Sequence, residues 1–557
     1  MDLNRAFLAI VLSLLILVGF QYLFPPATPQ QAPADPKGQQ ATQTPADQPS
    51  QAQVQQAPAQ APAQAPATVA QQSVLVDPKA RDITVNTPLY TVVINEQGGG
   101  FRSFVLKGYR NTIEQDSGPM ELLFDRGPGS LSVLFSLDNG VGANLPLFKA
   151  DKTSVTITNE NETAQLTMTA TLAEGFTVVR TLTFRGDSYL INAEYKVQNT
   201  TDKSVQVLPA LTLTNEPFAH TGNIGEFLFH GPAAYANGKL METKMKSLAE
   251  RPVMLQGKIS WAGFIDNYFM TAVVPTSGNA VTVSQQGSEK QARTVISEGI
   301  LGIGANETKT YAYTLYFGPS KLKILEAAGN DLAKSVDFGW FDVIGKPMLW
   351  LLNFFHQFTG NYGVAIILLT VLIKLLFWPI TQKGMKSMKN MQKLQPKIAK
   401  IRERYKADPA KMNQEIMTLY KTYKVNPVGG CLPMLIQIPF FFALYRVLMA
   451  AIELRHAPFM LWINDLSAPD RLWVGFDVPY LHGIPILTLL MGASMYLQQK
   501  MTPTTADPTQ ARIMQFLPIV FTIMFINFAS GLVLYWFVNN LLSILQQYLI
   551  NRQQNKS

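Results

Sequence analysis

Hydrophobic and polar positions change their rhythm several times along this chain. A continuous apolar run, AFLAIVLSLLILVGFQYLF, occupies residues 6–24 and is long enough to cross a bilayer core of about 30 Å. A cleaved signal sequence is the competing reading, but its apolar part usually spans only about 7–15 residues. An uncleaved anchor over residues 1–24 is therefore expected, with Arg5 holding the N-terminus on the cytoplasmic side. Residues 25–72 are mostly Ala, Pro, Gln and Thr. They cannot bury enough apolar surface to offset their ordering entropy, and read as a disordered tether.

From about residue 73 the period becomes two. Segments such as LYTVVI, AQLTMTATL, FTVVRTLTF and YLINAEYKV alternate apolar and polar residues between Asn, Asp and Gly turns. This predicts one large antiparallel β-sandwich over residues 73–335. A helical period returns at 338–360, where Phe341, Met348, Leu352 and Phe355 share one face, Asp342, Lys346, Asn353 and Gln357 share another, and Trp340 and Trp350 suit a helix lying in the membrane interface. Five apolar runs follow, at 361–380, 429–452, 483–499, 513–528 and 532–550. With the anchor they predict six spans; the third and fourth of the five are short and call for a locally thinned bilayer.

Charge orients these spans. Residues 381–428 carry Lys383, Lys386, Lys389, Lys393, Lys397, Lys400, Arg402, Arg404, Lys406, Lys411, Lys421 and Lys424 against Glu403, Asp408 and Glu415. Loop 453–482 has only Arg455 and Arg471 as cations. The basic segment is therefore expected in the cytoplasm, together with loop 500–512, both termini and the short tail 551–557, and the β-domain on the periplasmic side. Within the basic segment Met385, Met388 and Met391 recur at helical steps and continue through Leu394 and Ile398. A helical hairpin is predicted, kinked at Pro396, with an adaptable methionine face beside Lys389, Lys393 and Arg402. Such a surface suits nascent polypeptide, ribosomal RNA or anionic lipid; a hairpin whose charge only sets topology is the plainer alternative.

The single cysteine, Cys431, permits no internal disulfide, and the five histidines lack metal-ligand spacing. No phosphate-binding or nucleophile motif occurs. No cofactor, metal or catalytic residue is expected, and the chain is not read as an enzyme. What draws attention is LLTVLIKLLFWPI, residues 368–380, with Lys374 as its sole charge. A cation at the bilayer centre costs about 2.5–3.5 kcal/mol even on lenient scales. Thr370 lies on the same helix face. Gln437, Asn527, Tyr535, Asn539 and Asn540 place further polar groups in neighbouring runs, which favours a hydrated intramembrane groove. Interhelical hydrogen bonding accounts for the amides equally well, and snorkelling toward the cytoplasm is the alternative for Lys374.

Four segments carry a family resemblance: the run containing Lys374 with WPITQKGMKSMKNMQKLQPKI after it, VNPVGGCLPMLIQIPFFFALYRVL, ELRHAPFMLWINDLSAPD, and SGLVLYWFVNNLLSILQQYLI. In these the chain resembles the YidC/Oxa family of membrane protein insertases, in its Gram-negative form. The resemblance implies a polytopic α-helical membrane protein: an N-terminal anchor, a periplasmic all-β supersandwich and a five-helix insertase core. That core holds a hydrophilic groove open to cytoplasm and lipid. Relatives usually place arginine where this chain has Lys374, and lysine offers a compact charge in place of a planar fork. Thr370, Tyr535 and Trp536 match groove positions. Met434, Ile438 and Pro439 on the third span, with Pro518 and Phe521 on the fifth, match the surfaces along which a substrate span slides. The implied partners are nascent membrane proteins, the bilayer, the Sec translocon with its accessory subunits, and the ribosome or targeting factors at the hairpin.

Two rivals stay open at this level. A secondary transporter using Lys374 as a coupling group would show inverted repeats, and none is visible among the five runs. A carbohydrate-handling β-domain would lean on His220, Glu226 and His230, a weak cluster. If that domain is accessory, deletion of about residues 75–300 should leave insertion intact.

Overall fold

A computed structural model describes residues 79–554, apart from 115, 128–129, 139–144, 173–174, 219–228, 277–279, 424, 426–431 and 502–507. The expected anchor and tether, His220, Glu226, Lys424 and Cys431 lie outside the described residues.

The alternating segments form strands as their pattern dictates. Phe176–Arg185 buries Phe176, Val178, Leu182 and Phe184 on one face. It pairs in antiparallel register with Thr163–Leu172 on one side and Leu190–Asn199 on the other, and Thr308–Pro319 continues the sheet. Among the described residues these belong to a nine-stranded sheet, accompanied by two five-stranded sheets and a two-stranded one. Asn237 (φ 53°) and Gly238 (φ 76°) supply the left-handed pair that turns Gly231–Ala236 into Lys239–Glu242. One inward position breaks the pattern. Arg180 is buried between the rings of Phe101 and Tyr195 and donates to the Gly99 carbonyl, and burial lowers its pKa.

Glu96 ties the sandwich together from a buried position. Its carboxylate accepts from the Arg81 backbone N–H (3.0 Å), Arg81 Nε (3.1 Å) and Nη2 (2.6 Å), and from Ala150 N (3.1 Å). The Arg81 hydrogen bonds hold its pKa down at about 2 against the opposing pull of burial. A depressed carboxyl contributes stability above its unfolded value and loses it as protons bind. The sandwich should therefore weaken between about pH 4.5 and pH 2 as Glu96 titrates. Glu96→Gln should cost about 1.5–3 kcal/mol at neutral pH, the range of hydrogen bonds to charged groups, and flatten that acid step. Urea unfolding of both proteins at neutral and acid pH checks it.

Beyond the sandwich the chain is helical: α1 (Asp342–Thr359), α2 (Tyr362–Lys393), α3 (Gln395–Arg404), α4 (Pro409–Thr422), α5 (Leu432–Ala450), α6 (Ile486–Met501), α7 (Pro508–Phe525) and α8 (Ser530–Gln554). Gly360 in the left-handed region (φ 63°) ends α1, and the Asn361 side chain caps α2 by accepting from Val364 N at 3.1 Å. Among the described residues α2 is the one helix long and apolar enough to cross a membrane by itself, with shorter apolar stretches at Ile436–Ala450 and Met514–Phe525. It runs on past residue 380 into the basic segment. Its break comes at Leu394, and Pro396 stands in the first turn of α3, where its missing N–H costs nothing. The expected mid-helix kink is thus a helix start.

The helices bury their own core, including Leu352, Leu369, Leu444, Leu487 and Leu532. The loop after α5 joins this core to the sandwich. Ile452 packs into the sandwich core. Arg455 donates from Nη2 to the Asn111 carbonyl at 3.0 Å and lies over the rings of Tyr268 and Phe269.

Candidate functional site

Lys374 sits midway along α2 and is only 7% exposed. Its Nζ donates to Ser543 Oγ at 2.6 Å and to Asn539 Oδ1 at 3.3 Å, both on α8. Gln437 on α5 donates from Nε2 to the same Asn539 oxygen at 3.4 Å and meets the Tyr535 hydroxyl. Among the described residues no carboxylate pairs with the ammonium. Lys374, Gln437 and Tyr535 are thus brought together by α2, α5 and α8, through Asn539, one of the polar residues expected near the cation, and Ser543, which was not among them. Asn539, Ser543 and Gln546 follow one another at steps of four and three, so they share the face of α8 turned to α2. That polar stripe in NNLLSILQQ was the available sign.

Thr370 is buried one turn from Lys374, but its hydroxyl bonds back to the Ile366 carbonyl at 2.7 Å. It contributes shape and a lone pair rather than a link to the cation. Trp536 is turned to the other side, edge-on to Phe441 (5.1 Å between centroids) and tilted against Phe525 (5.0 Å) and Phe521 (5.8 Å). Asn527 bonds elsewhere and does not join the cluster around Lys374. Helix α7 ends at Phe525, and Asn527 lies in the turn beyond, accepting from Arg471 Nη2 at 2.8 Å. Its polarity serves the helix end.

Ile438 is exposed and Pro439 half-buried along α5, while Phe521 lies half-buried on α7 beside buried Pro518. The Met434 side chain lies outside the described residues. Both prolines sit inside helices and free a carbonyl four residues back. For Pro518 that carbonyl belongs to Met514, and Gln499 Nε2 on α6 donates to it. A similar contact joins Gln547 Nε2 to the carbonyl of Met501, the last residue of α6. Asn540 Nδ2 donates to Ser494 Oγ at 3.1 Å. Several amides are therefore interhelical links, as the plainer reading had it, and the side chains that reach Lys374 come from α8, with Gln437 of α5 behind them. Where α6 crosses α7, a Cβ on Gly492 would come within 2.0 Å of Thr522 Oγ1, so only glycine permits this approach.

In the hairpin Met391 is buried, as are Leu394 and Ile398, so this methionine does not lie on an exposed face. Met385 and Met388 are half-buried, Lys393 is exposed, and Arg402 is half-buried on α3. Lys389 Nζ donates to Asn551 Oδ1 at 3.3 Å, tying the root of the hairpin to the end of α8. Of the weak β-domain cluster only His230 is among the described residues.

At the opposite end the loop between α5 and α6 closes the bundle. Asp465 Oδ1 accepts from His456 N (3.1 Å) and Ser467 N (2.8 Å), and its carbonyl accepts from Ser530 Oγ at 2.8 Å. Asp470 is buried and accepts from Trp462 Nε1 at 2.6 Å and from Thr488 N, in the first turn of α6, at 3.1 Å. Asn361 Nδ2 reaches the Phe459 carbonyl at 2.8 Å. The arrangement is a buried cation on a polar face that is capped at one helix end.

Residues 82–351 match the family model described as the YidC periplasmic domain, and residues 354–557 match that of the 60Kd inner membrane protein. The membrane protein insertase YidC of Syntrophobacter fumaroxidans is 41% identical over 554 residues, covering 99% of each chain. That of Pelobacter propionicus is 42% identical over 565 residues, again covering 99% of each. A crystal structure of an active YidC insertase with its first transmembrane domain resolved overlaps 86% of this chain and 94% of its own, at 19% identity and a TM-score of 0.36. Identity above 40% along the whole length is what decides the assignment: the chain belongs to the YidC/Oxa family of membrane protein insertases.

Proposed function

We propose that this protein inserts and folds integral proteins of the bacterial inner membrane, and that Lys374 is the cation that receives their polar segments. The observation carrying this reading is the ammonium itself. It is buried, held by two neutral acceptors on one helix, and faced by no carboxylate among the described residues. A buried cation so placed attracts an incoming anion strongly, because the surroundings screen it poorly. An acidic extracellular segment entering the groove exchanges water for Lys374 and the amides of Gln437 and Asn539, which lowers its desolvation cost. The attached apolar span then moves past Ile438, Pro439, Pro518 and Phe521 into lipid, and burial of its apolar surface drives the step.

The same reading puts the basic hairpin in the cytoplasm, where Lys389, Lys393 and Arg402 with the half-buried Met385 and Met388 would meet ribosome, targeting factor or nascent chain. The sandwich then stands in the periplasm, six spans cross the membrane, and the Sec translocon is a working partner. A photoreactive amino acid at Ile438 or Phe521 should capture a stalled nascent span in intact membranes. Capture restricted to the outer faces of α6 or α8, as at Leu489 or Leu545, would reject this route.

A further inference from the structure

The loop between Leu472 and Ile484 is built to present aromatic rings outward. Its stem is closed by two backbone hydrogen bonds, Leu472 N to Ile484 O at 2.8 Å and Ile484 N to Leu472 O at 2.9 Å. Arg471 fastens this stem to the end of α7, donating from Nη1 to the Ile526 carbonyl and from Nη2 to Asn527 Oδ1, both at 2.8 Å. Helix α6 begins two residues after the stem. Beyond the stem Trp473 is 60% exposed, Phe476 65% and Tyr480 97%. Tyr480 (φ 66°) and His482 (φ 55°) are in the left-handed region, which non-glycine residues adopt at a cost. His482 Nδ1 and Asp477 Oδ1, 3.0 Å apart, brace the tip. The backbone is thus strained in a way that leaves a tyrosine ring fully outside rather than packed.

The neighbouring helices supply the reason. Helix α6 covers about 24 Å and the apolar part of α7, Met514–Phe525, about 18 Å at ~1.5 Å per residue, against about 30 Å of hydrocarbon. Their outward faces, with Leu489, Leu490, Ile519 and Ile523 exposed, are lipid-facing in any spanning arrangement. The aromatic loop is joined directly to the ends of both short helices. We infer that residues 473–483 lie in the headgroup region of the adjoining leaflet and prolong the lipid-facing surface of α6 and α7. Trp and Tyr favour that layer because each combines an apolar body with a polar edge. The occupant is thus the bilayer surface, and the shortfall in helix length is met by protein. This inference rests on the membrane-spanning reading of the helical core.

The test uses the full-length chain with Cys431→Ser, reconstituted in vesicles of phosphatidylcholine and phosphatidylglycerol. Single cysteines at Phe476, Tyr480, Leu490 and Glu289 carry an environment-sensitive fluorophore. Nitroxide is placed either at the lipid headgroup or deep in the acyl chain. Labels at Phe476→Cys and Tyr480→Cys should lose most of their emission to the headgroup nitroxide and little to the deep one. Leu490→Cys should answer to the deep probe, and Glu289→Cys, on the sandwich, to neither. If Leu490→Cys is untouched by both, the spanning reading fails and this inference with it. If Leu490→Cys is quenched while Phe476→Cys and Tyr480→Cys behave like Glu289→Cys, the loop stands in water and the inference alone is overturned. Shielding of both loop labels from aqueous iodide in native membranes, without lipid quenching in vesicles, would identify a protein occupant and overturn it as well.

Discussion

Lys374→Glu is expected to abolish insertion of a substrate with an acidic extracellular segment, Lys374→Ala to impair it severely, and Lys374→Arg to preserve most of it. Two unit charges about 4 Å apart attract by about 4 kcal/mol at an effective dielectric of about 20. Glutamate reverses the sign of that interaction, and alanine removes it. Even half of it exceeds a tenfold change in an equilibrium, since a factor of ten is about 1.4 kcal/mol. Arginine keeps the charge but not the fit. Ser543 Oγ at 2.6 Å and Asn539 Oδ1 at 3.3 Å both lie on α8 and suit a compact ammonium. A planar guanidinium would have to shift to satisfy them, so Lys374→Arg should show a modest loss that Ser543→Ala does not deepen. Depletion of the resident protein, complementation with each variant, and protease protection of the ATP synthase c subunit give the ranking, with variant abundance measured in parallel. Equal insertion by Lys374→Arg, Lys374→Ala and Lys374→Glu would remove the proposed electrostatic role of Lys374.

Asp470→Ala should be the most damaging single change to the helical core away from Lys374. The carboxylate is 2% exposed and serves two donors, Trp462 Nε1 at 2.6 Å and Thr488 N at 3.1 Å. Thr488 N is one of the first-turn N–H groups that α6 cannot satisfy internally, and a negative charge there also suits the helix dipole. Alanine leaves both donors buried and unmet, at about 1–3 kcal/mol each. A total loss of roughly 2–6 kcal/mol follows, a range that brackets the cost of breaking a buried charged pair. Asp470→Asn keeps one acceptor and should lose about half as much. Thermal unfolding in detergent micelles distinguishes them; an Asp470→Ala protein within about 0.5 kcal/mol of the parent, the usual range for surface changes, would show that the loop is not held by this carboxylate.

These two residues mark where sequence reading succeeds and where it stops. A strand such as Phe176–Arg185 announces itself because period two must match the pleat, and Lys374 stands out because its surroundings are wholly apolar. Its partners stand out less: Asn539 is one amide among several in the neighbouring runs, and Ser543 carries no sign of its own. Which residues of α8 face α2 depends on how two helices are rotated and staggered, and a single helix's periodicity leaves that undetermined. Asn527 illustrates the reverse error: a polar residue inside an apolar run looks like groove lining until the helix ends two residues earlier. Met391 is buried for a related reason: which side of a helix is covered depends on its neighbours, and a single helix's periodicity does not name them. Asp465 and Asp470 lie in a loop, where no period exists to read. Arg180 sits at an inward strand position that alternation assigns to an apolar residue, and pattern alone gives no account of it.

The seat of Arg455 bears on how this chain can be cut. Excising about residues 75–300 to isolate the insertase core would also take away Asn111, Tyr268 and Phe269, while Ile452 and Arg455 remain. The trimmed protein would bare an isoleucine that formerly belonged to another domain's interior, and an arginine stripped of its aromatic lining. Poor yield or clumping of such a truncation would then report the wound left by the excision, not a duty of the sandwich in insertion. A clean excision also takes the remaining strand Thr308–Pro319, whose Tyr311, Leu315 and Phe317 belong to the sandwich core, and replaces Ile452 with a polar residue in the same step.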